Sequence, residues 1–212
     1  MSRESWNKEQ NKIGRIYLFC EWKTEKFYFE KIIKLNQNYW VKLKFIDLWW
    51  WSKVKTNPEW IARTIYKTVK ENKSKKYDDK MIYLLFDLDI FSCLEIENSI
   101  KILTDKHIIP IVTNECFEYW ILSHFEKYNL WKRKYIYLDR IKNELSKIGF
   151  TLSKDKFTWE KHKFKWDYDW LNKENIKLAI KNVKEVNNLS NWNLKNRDPY
   201  SNVYEIIEFL ES

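Results

Sequence analysis

The stretch MIYLLFDLD (residues 81–89) is the most apolar run of the 212-residue chain, and it ends on two carboxylates. A short continuous apolar run of this kind is typical of a strand that is buried on both faces of a sheet. We therefore predict a central strand here. Three further stretches predict the other strands, namely RIYLFCE (15–21), VKLKFIDL (41–48) and IIPIVTN (108–114).

The segments between these strands have helical periodicity. Apolar residues recur at helical spacing after each strand, which predicts helices over 24–35, 58–73, 94–106 and 115–128. Strand followed by helix, four times in succession, indicates an α/β fold with a parallel sheet of about four strands flanked by helices. From residue 129 the pattern is mostly helical, with predicted helices at 136–148, 171–187 and 201–211. We thus expect a single domain with a core over 12–128 and a helical C-terminal lobe over 129–212.

Composition restricts the class of protein. No apolar run approaches the roughly 18 residues of a membrane span, and the N-terminus MSRESWNKEQNK lacks the apolar region of a secretory signal, so we expect a cytoplasmic protein without a membrane partner. Cys20, Cys93 and Cys116 have neither disulfide-like nor zinc-like spacing. The 39 basic and 30 acidic residues give a net charge of +9, which favours a polyanionic partner such as nucleic acid.

Carboxylates follow the predicted strands where ligands bind in doubly wound folds. Glu21 ends the first strand, Asp87 and Asp89 end the third, and Glu115 and Glu118 follow the fourth. In an extended segment Asp87 and Asp89 point to the same side about 7 Å apart, which suits Mg²⁺ or Mn²⁺ and a two-metal cleavage of phosphodiesters. A structural role without a metal is the alternative. Asp commonly caps the helix that follows it, and Glu is favoured at a helix N-terminus.

Four segments, in this order along the chain, resemble the RloB family. They are CEWKTEKFYFE (20–30), YDDKMIYLLFDLDIF (77–91), NECFEYWILSHFE (114–126) and DPYSNVYEIIEFL (198–210). The corresponding family patterns are CEG-x-TE-x-x-YF, YD...vFDxD, SNPCFExWLLxHF and NPxTxVYxLVExL. Members of the family are Toprim-related and are encoded in bacterial restriction and phage-defence loci, often beside a partner ATPase.

The resemblance implies a Toprim-type, metal-dependent nuclease. In this reading Glu21 is the general acid/base or a ligand, Asp87 and Asp89 bind Mg²⁺ or Mn²⁺, and Glu118 is a further catalytic ligand. Carboxylate oxygens of Glu21 and of Asp87 or Asp89 should then lie within about 5 to 6 Å of each other, close enough to share metals about 4 Å apart. The rival hypothesis is a catalytically silent, nucleic-acid-binding or regulatory subunit of an ATPase complex. The sequence leaves open DNA or RNA as substrate, the cut position, the trigger and a homo-oligomeric state.

Departures from the family pattern involve tryptophan. Trp22 replaces the Gly that follows the first Glu, and Trp49, Trp50 and Trp51 stand where the family tends to have a glycine-rich turn. The chain has 2 Gly and 13 Trp, whereas a usual Gly content of about 7% gives roughly 15 Gly. Either the source translates UGA codons as Trp, or it reads UGA as Gly and these four tryptophans are misread glycines. The positions of the four favour the second interpretation, and the gene decides between the two. Glu115 replaces a family Pro, so no family role transfers to it.

Three other features favour structural roles or exclude a function. His124 lies on the apolar face of its predicted helix, which favours a hydrogen-bonded core histidine over a base. In the segment WEKHKFKWDYDW (159–170), aromatic residues alternate with lysines, as in a surface on which nucleic-acid bases stack. The codon interpretation disfavours stacking, because tryptophans of this segment would then be misread glycines. No phosphate-binding glycine loop is present even if every Trp is read as Gly, so the chain supplies no ATPase of its own.

Overall fold

The computed structural model describes residues 16–20, 23–37, 42–45, 58–71, 81–88, 92–114, 116–130, 134–150, 168–189 and 199–211. The strands in these ranges are β1 (Tyr17–Cys20), β2 (Lys42–Phe45), β3 (Ile82–Asp87), β4 (Ile108–Asn114) and β5 (Tyr200–Ser201). The helices are α1 (Lys23–Asn36), α2 (Pro58–Glu71), α3 (Cys93–Asp105), α4 (Phe117–Leu122), α5 (Lys134–Lys147), α6 (Lys173–Leu189) and α7 (Val203–Glu211).

The sheet has the strand order β2-β1-β3-β4-β5. β1, β2, β3 and β4 run parallel, which confirms the predicted α/β fold with a parallel sheet of four strands. β3 lies in the middle of the sheet, as its continuous apolar run predicts, because both of its faces are covered. The short β5 joins antiparallel to β4 and was not predicted, since two residues carry no readable periodicity.

Helices cover both faces of the sheet. Tyr17 and Phe19 of β1 point into the layer formed with α2 and α3, whereas Leu18 and Cys20 point into the layer formed with α1, α4, α5, α6 and α7. This alternation follows from the two-residue period of a strand. The second layer contains buried residues from Ile16 to Leu210, so the C-terminal helices share one core with the sheet.

Local sequence signals account for two helix boundaries. Ser92 and Glu95 form a capping box at the start of α3, in which the Ser92 hydroxyl accepts from the Glu95 amide and the Glu95 carboxylate accepts from the Ser92 amide. After α5, Gly149 has a φ of +82°, and Phe150 N–H donates to Leu145 O at 2.9 Å. This left-handed turn favours glycine because it has no Cβ.

α4 is shorter than predicted. The sequence predicts a helix over 115–128, but α4 ends at Leu122 and the chain continues as turns. The Ser123 hydroxyl donates to Trp120 O at 2.6 Å, and His124 Nδ1 lies 3.0 Å from the same oxygen. Both side chains engage the carbonyl that would otherwise accept the next helical amide, and such competition weakens and bends a helix.

No helix in the described ranges is long and apolar enough to cross a membrane.

Candidate functional site

Asp87 is the last residue of β3 and is buried at the carboxyl end of the sheet. It pairs in register with Thr113 of β4, which in turn pairs with Ser201 of β5. Residues paired directly across strands have side chains on the same face. Asp87, Thr113 and Ser201 therefore form a buried polar row across three strands.

This row faces the layer that contains α1 and α4. Leu85 and Ile111 precede Asp87 and Thr113 by two residues each, and both belong to the core cluster shared with these helices. Since side chains two residues apart share a face of a strand, Asp87 and Thr113 face the same layer. The Thr113 hydroxyl is buried and makes no hydrogen bond with any residue that the structure describes.

Glu118 lies in the first turn of α4 and is buried as well. α4 begins three residues after β4 ends, so the chain turns back at the carboxyl end of the sheet and places Glu118 near it. The partial positive charge of a helix N-terminus favours a carboxylate in this turn.

Glu25, in the first turn of α1, is fully buried. The helical pattern of residues 24–35 by itself places Glu25 on the polar side with Lys26 and Glu30, and the structure shows that this is wrong for Glu25. Its position at i, relative to the buried Tyr28, Phe29 and Ile32 at i+3, i+4 and i+7, is the signal that could have identified it.

Tyr168 connects the two buried glutamates electrostatically. Burial raises the pKa of Tyr168 well above its usual value, and the charges of Glu118, Tyr28 and Glu25 raise it further. Its hydroxyl donates a hydrogen bond to Thr24 O at 3.1 Å, at the start of α1. Glu118 and Glu25 thus both act on one hydroxyl that is attached to the first turn of α1.

The buried donors at this end of the sheet are carboxylates rather than thiolates. Burial, followed by the charge of Glu25, raises the pKa of the Cys20 thiol, so this sulfur stays protonated and is a poor ligand for a soft metal. Asp87, Glu118 and Glu25 offer carboxylate oxygens instead, the ligands that Mg²⁺ and Mn²⁺ prefer. Within the described ranges, no three His, Cys, Asp or Glu side chains are placed to hold a metal ion.

Two of the predicted ligands are not among the described residues. Glu21 and Asp89 lie outside them, as does Glu115, so the predicted distance from Glu21 to Asp87 or Asp89 stays a prediction. Asp87 and Glu118 are described, and both are buried around the same end of the sheet. In sequence, Glu21 directly follows the last residue of β1, and Asp89 comes two residues after the last residue of β3.

His124 is a core residue, as predicted. Its Nε2 accepts from the Tyr28 hydroxyl at 2.9 Å, and Nδ1–H donates to Trp120 O at 3.0 Å. We assign the proton to Nδ1 because its neighbours are carbonyl oxygens, which can only accept. Burial lowers the pKa of His124 to about 4. A neutral, enclosed imidazole is unsuited to act as a base on a substrate.

Trp170 is also part of the core. It is buried, and its ring lies 4.8 Å from Phe125, 5.5 Å from His124 and 5.9 Å from Tyr168, measured between centroids. A ring enclosed in this way cannot stack on a base, so the stacking surface considered for 159–170 does not extend to Trp170. Trp22, Trp49, Trp50, Trp51 and residues 159–167 lie outside the described residues.

Comparisons with known proteins give one match. No curated protein and no solved structure matches the chain. A family model described as RloB-like protein matches residues 16–210, from the residue before β1 to the last residue but one of α7. The chain therefore belongs to the RloB-like protein family.

Proposed function

We propose that this protein is a Mg²⁺- or Mn²⁺-dependent nuclease of the Toprim type, which cleaves phosphodiester bonds in DNA or RNA as the effector of a bacterial defence system. The observation that carries the proposal is the burial of Asp87, Glu118 and Glu25 around the carboxyl end of one parallel sheet. Carboxylate oxygens are the ligands that Mg²⁺ and Mn²⁺ prefer, so acidic side chains gathered at this end of the sheet support metal-dependent chemistry once Glu21 and Asp89 complete the set.

Glu21, Asp87 and Asp89 would hold the metal, with Glu118 as a further catalytic ligand. A divalent ion bound there would supply positive charge to the oxygens of the phosphodiester. Glu21, which comes directly after β1 in the chain, would accept a proton from the attacking water or donate a proton to the leaving oxygen. Glu25 adds a carboxylate from the first turn of α1. Thr113, the residue paired with Asp87 across β3 and β4, adds a hydroxyl.

The direct test is cleavage of nucleic acid by the purified chain. Labelled single-stranded DNA, duplex DNA and RNA are incubated with the protein and Mg²⁺ or Mn²⁺, and products are separated on denaturing gels. We expect cleavage of at least one substrate, with loss of activity in Asp87→Asn. Asp105→Asn is the matched control, because Asp105 is exposed at the far end of α3.

Binding measurements on the same variants separate loss of chemistry from loss of the fold. Asp87→Asn should bind nucleic acid as tightly as the wild type or more tightly, because it removes a charge that repels phosphate. Cleavage that survives Asp87→Asn would contradict the proposal. Binding without cleavage by the wild type in either metal, with and without a neighbouring ATPase, would favour the silent regulatory subunit.

A further inference from the structure

α6 presents a row of lysines on its outer face. Lys173, Lys177 and Lys181 are all exposed and lie four residues apart, so they line one side of the helix at intervals of about 6 Å. The opposite face of α6 packs into the core through Ile176, Ala179 and Val183. The backbone and core therefore hold the row in one orientation.

Two carboxylates near this row accept hydrogen bonds from lysines outside it, although Lys181 also acts on the charge of Glu185. Glu185 accepts from Lys127 at 2.9 Å, and Glu208 of α7 accepts from Lys184 at 2.5 Å. Glu174, in the first turn, is the remaining exposed acid on α6 itself. The three-lysine row thus keeps a surplus of positive charge on this part of the surface.

Both ends of α6 are connected to the carboxyl end of the sheet. Just before the helix, Asp169 accepts from Lys31 of α1 at 2.8 Å, and the Tyr168 hydroxyl donates to Thr24 O in the first turn of α1 at 3.1 Å. Near its other end, Asn187 Nδ2 donates to Ser201 O at 2.8 Å. Ser201 is the last member of the polar row that begins at Asp87, so α6 runs alongside the candidate site.

We propose that the α6 lysine row, defined as Lys173, Lys177 and Lys181, binds the phosphate backbone of the nucleic acid on which the site acts. The inference rests on the proposed function, which supplies the polyanion. A regular series of cations suits a strand that carries phosphates at regular intervals. An anionic membrane is a poorer partner, because an interfacial helix inserts an apolar face and the apolar face of α6 is already buried in the core.

The test measures how nucleic-acid binding depends on salt concentration. EDTA is present throughout, so that no divalent metal supports cleavage. Fluorescence anisotropy follows labelled single-stranded DNA, single-stranded RNA and duplex DNA between about 50 and 200 mM salt. The variant Lys173→Gln/Lys177→Gln/Lys181→Gln is compared with the wild type. The control Arg63→Gln/Lys67→Gln/Lys101→Gln removes the same charge from exposed positions of α2 and α3, on the opposite face of the sheet.

We expect the α6 variant to bind about ten-fold more weakly, and the slope of log K against log salt to become about 2 to 3 units shallower. The control should keep the wild-type slope. Circular dichroism checks that both variants are folded, and if the triple variant is not, the three single variants should each lose close to one unit of slope.

Four results would overturn the inference. If the folded α6 variant keeps the wild-type salt slope while the wild type binds and cleaves nucleic acid, the row does not bind phosphate. The proposed nuclease function is unaffected by that result. If the α6 variant and the control lose affinity and salt slope equally, binding depends on the net charge of the protein and not on this row. Absence of nucleic-acid binding by the wild type refutes both proposals. If the α6 variant binds nucleic acid like the wild type but no longer sediments with phosphatidylcholine–phosphatidylserine vesicles that the wild type binds, the row belongs to a membrane surface.

Discussion

Asp87 and Thr113 are direct neighbours across the parallel strands β3 and β4, and their side chains lie on the same face of the sheet. Both are buried, and the Thr113 hydroxyl makes no hydrogen bond within the described part of the chain. A buried hydroxyl in this state costs about 1 to 3 kcal/mol. Its position beside the proposed ligand Asp87 suggests that it serves the site rather than the stability of the fold.

Thr113→Val should therefore separate activity from stability. Valine keeps the shape and removes the hydroxyl, so the free energy of unfolding should stay unchanged or rise by about 1 kcal/mol. Cleavage should fall by about 10- to 100-fold, as is usual for groups that orient ligands. Thr113→Ser restores the hydroxyl and should recover most of the activity. Urea denaturation and cleavage rates check this, and a fully active, destabilised Thr113→Val would contradict it.

Divalent metal should stabilise the folded protein. A ligand that binds only the folded state adds about 2.7 kcal/mol at a concentration 100 times its Kd. We expect the thermal midpoint to rise in millimolar Mg²⁺ or Mn²⁺, and Asp87→Asn to lose most of this rise. Asp105→Asn should respond like the wild type. A midpoint that neither metal changes would count strongly against a metal enzyme.

Glu25→Gln tests the carboxylate that helical periodicity misplaced. Glutamine has nearly the same shape, so the variant should fold while cleavage falls by about 10- to 100-fold and the Mg²⁺-induced stabilisation decreases. Glu30→Gln is the control on the same helix, since Glu30 pairs with Lys26 on the surface. Wild-type activity and metal response in Glu25→Gln would show that Glu25 only contributes to packing.

His124 should make stability depend on pH. Its pKa is about 4 in the folded protein and about 6.5 when unfolded, so between these values the unfolded chain binds the extra proton. Stability is complete above pH 6.5 and should fall by about 3 kcal/mol as the pH drops towards 4. His124→Gln should reduce this loss, whereas the exposed His107→Gln should keep it. Urea midpoints across this range measure the difference.

The gene should encode Trp22, Trp49, Trp50 and Trp51 as TGA. Mass spectrometry of peptides from the native source should then find Gly at these positions, and Trp22→Gly should restore most activity in a recombinant chain made with Trp. Trp120 should be encoded by TGG, because it is fully buried and Trp-to-small substitutions in a core cost about 3 to 5 kcal/mol. If Trp22, Trp49, Trp50 and Trp51 are encoded by TGG, the misreading hypothesis is wrong, and Trp22 favours the catalytically silent subunit.

Much of the fold was readable from local patterns. The four parallel strands follow from apolar runs, whose composition reports burial on both faces directly. The end of α4 was not readable, because Ser123 and His124 interrupt the helix through hydrogen bonds that periodicity does not describe. β5 was missed because its pairing with β4 joins residues about 90 positions apart.

The sequence by itself determined the α/β class, the family and Asp87 and Glu118 as candidate site residues, because strand ends and helix starts are marked by local changes of pattern. Only the tertiary structure decided that Glu25 is buried and that Thr113 and Ser201 extend the polar row from Asp87. The physical reason is that burial and cross-strand register depend on which distant segments pack together. A carboxylate on a helix looks the same in sequence whether its face meets water or the sheet.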